Sequence, residues 1–190
     1  MGASRAGSHE IAYWMVRLLT RVQPGNRPGC TATSSLSPTR AQYDSPDKGL
    51  VALVVTVGKS SESRVKVRSE TGRLLAARDY SSRDGEHGFG VVKAVWTPDS
   101  KFFVYSLANS GGHQPWHFPV EFYARVQNEI LSLDDALRDA VMSPQFSIAA
   151  PDRVTAEFWF SRQTKTVALA GLPPTQRTPK RQQPTGHLDR

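Results

Sequence analysis

The chain has one cysteine, Cys30, among its 190 residues. A single thiol excludes an intramolecular disulfide framework and a Cys-rich zinc site, and it leaves the redox compartment unread. Long apolar runs are missing too. None approaches the ~20 residues of a membrane-spanning helix, so no membrane span is expected. The best apolar stretch near the N-terminus, Ile11-Ala12-Tyr13-Trp14-Met15-Val16-Arg17-Leu18-Leu19, is broken by Arg17. Its uncharged part is shorter than the ~7–15 residues of a signal h-region. Hydrophobic residues make up only 38%, low for a chain packed from end to end, so part of it is expected to be tail. Gly and Pro are plentiful, with 14 and 13 copies. That suits a turn-rich β protein better than a helical bundle.

The positive charge is unevenly placed. Of the net +7, residues 1–41 carry +4 and residues 173–190 carry +3, which leaves 15 basic and 15 acidic residues from 42 to 172. A domain that recognises nucleic acid sets its basic residues on a folded face. Here they lie in end segments too polar to build a core. No specific nucleic-acid recognition is expected, only weak, salt-sensitive attraction to polyanions. Residues 1–41 read as a disordered or weakly helical N-terminal extension, 42–172 as the folded β domain, and 173–190 as a disordered basic tail.

Within the middle segment three phrases recur: Ser45-Pro46-Asp47-Lys48-Gly49, Thr97-Pro98-Asp99-Ser100-Lys101 and Ala150-Pro151-Asp152-Arg153. Their prolines stand 52 and then 53 residues apart, and an apolar run follows each. Pro, Asp and Gly in this order form β-turns, with Asp47 and Asp99 as turn formers. Leu50–Val57 is nearly all apolar and β-branched, as a central strand requires. Arg64-Val65-Lys66-Val67-Arg68 alternates, so its valines face one way and its basic residues the other. Further strands are expected at Leu74–Arg78, Val91–Trp96, Phe102–Leu107, Val120–Arg125, Glu129–Leu133, Arg153–Phe160 and Thr166–Leu169. One helix is expected over Asp134–Met142, capped by Asp134 or Asp135.

These phrases resemble the blade repeats of TolB-like and WD-type β-propellers, where a phrase like W-S-P-D-G-K precedes the second strand. Trp96-Thr97-Pro98-Asp99-Ser100-Lys101 and Ser45-Pro46-Asp47-Lys48-Gly49 match it closely. Phe122-Tyr123-Ala124-Arg125 with Asn128-Glu129-Ile130 matches the third and fourth strands loosely, and Ala150-Pro151-Asp152-Arg153 is degenerate. The resemblance covers residues 43–170. It implies a mainly β fold of antiparallel sheets in an open partial propeller with one short helix. A closed ring needs about four to eight blades, and this length supplies two and part of a third. The alternatives are a stable open monomer, a piece of a longer ring, and a ring completed by self-association through exposed sheet edges. The resemblance also implies a periplasmic or secreted setting, which residues 1–41 leave open because they carry no clear signal peptide.

The most distinctive local sequence is Ser110-Gly111-Gly112-His113-Gln114-Pro115-Trp116-His117-Phe118-Pro119. His113, Trp116, His117 and Phe118 are the candidate contacts, because rigid aromatic loops are common in recognition. The second candidate is the loop at 80–90, with Asp84 and His87. In the plainer reading Trp116 and Phe118 cap the core, the histidines bond backbone, and residues 80–90 form a solvated turn. A metal at His113, His117 and His87 is a third reading, although H-x-x-x-H spacing needs a helix that Pro115 opposes. A hydrolase would have to use Ser110, His113 and Asp84, and no G-x-S-x-G elbow is present. The expected function is therefore a non-enzymatic binding or scaffold module for a protein or small ligand, without a cofactor. The alternative is a hydrolase-related or metal-binding protein with its site around His113 and His117.

Overall fold

The computed structural model of the chain describes residues 39–57, 61–111 and 116–172. The expected extension up to residue 38, the tail 173–190 and the candidate His113 lie outside the described residues. The alternating strands fold into three open antiparallel sheets. The first holds β1 (Arg40–Asp44), β2 (Leu50–Thr56), β3 (Ser63–Ser69) and β4 (Leu74–Asp79) in sequential order. The central sheet holds β5 (Phe89–Trp96), β6 (Phe102–Asn109), β7 (Val120–Ala124) and β8 (Glu129–Ser132), also in sequential order. The third holds β9 (Ser147–Ala149), β10 (Arg153–Phe158) and β11 (Gln163–Ala168), with β10 in the middle. A short helix, α1 (Leu133–Leu137), follows β8.

The core is two apolar layers on either side of the central sheet. Successive side chains of a strand face opposite ways, and β6 uses both. Phe103, Tyr105 and Leu107 join Ala52, Val54, Val65 and Val67 of the first sheet. Phe102 and Val104 join Val154, Ala156 and Phe158 of the third. In β7, Tyr123 faces the first sheet, and Val120, Phe122 and Ala124 face the third. Phe103 is fully buried, its ring 5.5 Å from Tyr43, 5.2 Å from Trp96 and 5.7 Å from Tyr105.

Each Pro-Asp phrase joins the first strand of a sheet to its second. In two of them the same bonds recur. Ser45 Oγ donates to Asp47 Oδ1 and Thr97 Oγ1 to Asp99 Oδ1, both at 2.7 Å. Those hydroxyls then accept from the Leu50 and Phe102 backbone N–H groups. Lys48 and Ser100 take the left-handed conformation at φ 59° and 60°. The third phrase has Ala150 where the others have a hydroxyl, and Asp152 turns its carboxylate to the Ala170 N–H at 2.8 Å instead. Neighbouring sheets touch at positions one repeat apart. Trp96 Nε1 donates to Tyr43 O, the Asp47 N–H to Ser100 Oγ, and Lys93 Nζ to Phe146 O, each pair 53 residues apart in sequence.

The helix is shorter than the sequence suggests, and its cap is Ser132, whose Oγ accepts from Asp135 N. Arg138 ends it in the left-handed conformation at φ 52°. Beyond it the backbone is used for pairing: Val141 bridges to Phe158, Phe118 N–H donates to Val141 O, and Trp159 N–H donates to Ala140 O. A helix through Met142 would have turned the Val141 and Met142 N–H groups to carbonyls four residues back; here they donate to Asp134 Oδ2 and Glu157 O instead. Other strands differ too. A first strand at Arg40–Asp44 reaches into the segment assigned to the extension, β9 was not expected, and β10 and β11 run over 153–158 and 163–168.

Phe103→Ala is expected to lower the unfolding free energy by about 3–5 kcal/mol, as for other buried aromatics. Val126→Ser, at an exposed turn, should stay within about 0.5 kcal/mol. Urea unfolding of the two variants checks both.

Candidate binding surface

Two carboxylates near α1 position two tryptophans. Asp134 is the first. His117 Nε2 lies 2.7 Å from its Oδ2, and the ring donates, since a carboxylate only accepts. Asp134 also accepts from the Val120 and Val141 N–H groups at 3.3 and 3.4 Å. Burial pushes the Asp134 carboxyl up, against the lowering effect of these bonds. Together with the Phe118–Val141 backbone bond, this side chain fixes the segment 117–120 against the turn after α1. His117 thus bonds a carboxylate rather than backbone.

Asp139 is the second. It is nearly buried and accepts from Phe160 N at 2.8 Å, Ser161 N at 3.3 Å and Lys165 Nζ at 3.0 Å. Burial alone would raise its carboxyl, but hydrogen bonds from Ser161, Lys165 and Phe160 outweigh it and hold it at about 2. Asp139 thereby clamps the tip of the β10–β11 hairpin, where Trp159, Phe160 and Arg162 stand.

The two clamps bring Trp116 and Trp159 together, their rings 5.2 Å apart. Trp116 also stacks on His117 at 5.8 Å, and the Arg162 guanidinium lies 4.1 Å from the Trp159 ring centroid. Trp116 is 43% exposed and Phe160 is 75% exposed. The result is an aromatic surface with one cation, built on anchored backbone. Trp159, Phe160, Arg162 and Asp139 were not among the sequence candidates. One signal could have found them. Phe158-Trp159-Phe160 is a run of three aromatics, and strand alternation cannot bury all three on one face.

The loop at 80–90 is also more than a solvated turn. Glu62, only 1% exposed, accepts from Ser82 N, Ser82 Oγ, Gly88 N and Ser110 Oγ at 2.7–2.8 Å. Burial would raise its carboxyl, but these bonds win and hold it below the usual carboxylate range. The carboxylate sits so close that a Cβ on Gly88 would lie 2.5 Å from Glu62 Cδ and 2.3 Å from Tyr80 O. Glu62 therefore joins the base of both candidate loops. Asp84 and His87 pair at the exposed end, Oδ2 to Nδ1 at 2.5 Å, and Asp84 is held low by the Glu86 N–H, Ser82 and His87.

Ser110 spends its hydroxyl on Glu62 and Gly88 O, and Asp84 is engaged with Ser82 and His87. Neither stands in a nucleophile–base arrangement with the other. Among the described residues no group of three or more His, Cys, Asp or Glu is placed to hold a metal ion, and no helix is long and apolar enough to cross a membrane. In class, the fold and surface define a mainly β protein of three open antiparallel sheets with an anchored aromatic patch. The chain matches no family model and no curated protein.

The Asp139 carboxyl is depressed from 3.8 to about 2 on folding, so its stabilisation is complete above the unfolded value and disappears as pH falls through the folded one. Asp139→Asn is expected to cost about 2–3 kcal/mol at neutral pH, as for a buried bond to a charged group. Its deficit relative to the wild type should shrink as pH drops from about 4 toward 2, which urea unfolding across that range will measure.

Proposed function

We propose that this chain is a non-enzymatic binding or scaffold module of propeller-blade type, and that it engages a protein or small ligand through the Trp116–Trp159 surface. The observation that carries this reading is the touching pair of tryptophans, Trp116 exposed and Trp159 half-buried, each backed by a buried or partly buried carboxylate. Rigid aromatic side chains on anchored backbone lose little conformational entropy on binding, and Trp and Arg dominate binding hot spots. Asp134 and Asp139 supply the rigidity, and Arg162 supplies a cation for an acidic or aromatic group on the partner. Blade character is supported by two four-stranded meanders in sequential order, each with a Pro-Asp turn between its first and second strands. Four-stranded antiparallel sheets are the blades of propellers.

A partner retained by the wild type and by Val126→Ala is expected to lose about tenfold or more in affinity for Trp116→Ala/Trp159→Ala, given the usual cost of hot-spot truncation. Affinity capture followed by calorimetry with the purified partner tests this. Equal binding by the double variant would overturn the assignment of the surface.

A metal-binding reading rests on a different observation, the Asp134 carboxylate on His117 Nε2. A carboxylate on one ring nitrogen orients the other for a metal. If a zinc site exists at His113 and His117, zinc raises the melting temperature and His113→Ala/His117→Ala abolishes the rise. No shift with zinc would remove this reading.

A further inference from the structure

Among the described residues the first and central sheets have four strands, whereas the third has three, with β11 at one edge. β11 has β10 on one side and no described strand on the other, so among the described residues its outer backbone N–H and C=O groups have no ladder partner. Exposed edges of this kind are usually blunted by charge, proline, a bulge or shortness. The other edges among the described residues show these devices. β1 has Arg40 and Asp44 at its ends and Pro46 beyond. The first sheet bulges between β3 and β4 at Val67/Arg68, and the central one between β5 and β6 at Val91/Lys93. β8 is four residues long and its Ile130 carbonyl accepts from Arg78. β9 is three residues long and lies between Pro144 and Pro151.

β11 has none of them. Its six residues, Gln163-Thr164-Lys165-Thr166-Val167-Ala168, pair with β10 in unbroken register and contain no proline. Its one charge is withdrawn from the edge: Lys165 Nζ is 3.0 Å from Asp139 and 5.2 Å from the Phe158 ring centroid. Gln163, Thr164, Thr166 and Ala168 are exposed.

We propose that β11 is a self-association edge, at which a second copy of this chain adds its own β11 antiparallel and joins the two third sheets into one. The occupant follows from self-complementarity. A two-fold axis normal to the sheet keeps the core-facing sides together, so residues of equal parity face one another. Centred on Thr166, it sets Thr166 against Thr166 of the second copy and Lys165 against Val167. Uncharged β-branched residues then meet and no like charges are opposed. Five paired residues on each strand, Thr164 to Ala168, are a small interface, so the dimer forms in a concentration-dependent equilibrium.

Sedimentation of the full-length protein over a concentration series is expected to show monomer and dimer. Thr166→Lys sets two like charges across the axis and should leave monomer only, with an unchanged circular dichroism spectrum. In a Cys30→Ser background, a short bis-maleimide should join two copies of Thr166→Cys but not of Thr71→Cys, whose site is an exposed turn of the first sheet. The dimer should persist in Trp116→Ala/Trp159→Ala, which separates this edge from the aromatic surface. Monomer at every concentration would overturn the proposal. So would a dimer indifferent to Thr166→Lys, or cross-linking no stronger at position 166 than at position 71.

Discussion

Both faces of the central sheet are shut off from water, and the rest of the structure is arranged around that condition. β6 sends Phe103, Tyr105 and Leu107 one way and Phe102 and Val104 the other. Each face needs an apolar cover, and the first and third sheets provide it. Burial of this kind is the largest favourable contribution to folding. It also explains why β6 is buried without interruption from Phe102 to Leu107 while β4 and β11, at the margins, have no fully buried residue.

Enclosure on both sides brings polar groups inside, where each needs a partner. Arg78 and Tyr80 of the first sheet meet Glu121 of the central one, and Tyr80 shares a further bond with Tyr105. Burial pushes the Glu121 carboxyl and both phenols up. Glu62, Asp134 and Asp139 play comparable parts elsewhere, each accepting several donors from other segments of the chain. Irregular backbone at 80–90, 117–120 and 159–161 is held by carboxylates where no sheet ladder exists to hold it. The aromatic surface is thus a product of buried acids.

The repeat decays along the chain. Two Pro-Asp turns close with a hydroxyl and an Asp, and the third has lost the hydroxyl at Ala150. Among the described residues its sheet has one strand fewer, and its β9 has only three residues.

What could be read from residues alone was whatever depends on short-range chemistry. The Pro-Asp turns, the alternation of Val65 and Val67 with basic residues, the hairpin at Val126–Asn128 and the mainly β class follow from local conformational preference and period, and the fold has them. Asp47 and Asp99 act as the turn formers their spacing suggested. Trp116, His117 and Phe118 were candidates by composition, but their supports were hidden. Asp134 read as a cap and proved to be the acceptor for His117. Asp139 and Glu62 were not among the candidates. Nothing local marks a carboxylate whose donors lie 20 to 48 residues away in sequence. The end of the helix at Arg138 was decided the same way, because Ala140 and Val141 are claimed by Phe118, Phe158 and Trp159 from other parts of the chain. Sequence by itself determined most of the strands and the Pro-Asp turns, since those depend on neighbours along the backbone. Only the tertiary structure decided which acids are buried, which tryptophans meet and which edge stays open, since those depend on neighbours through space.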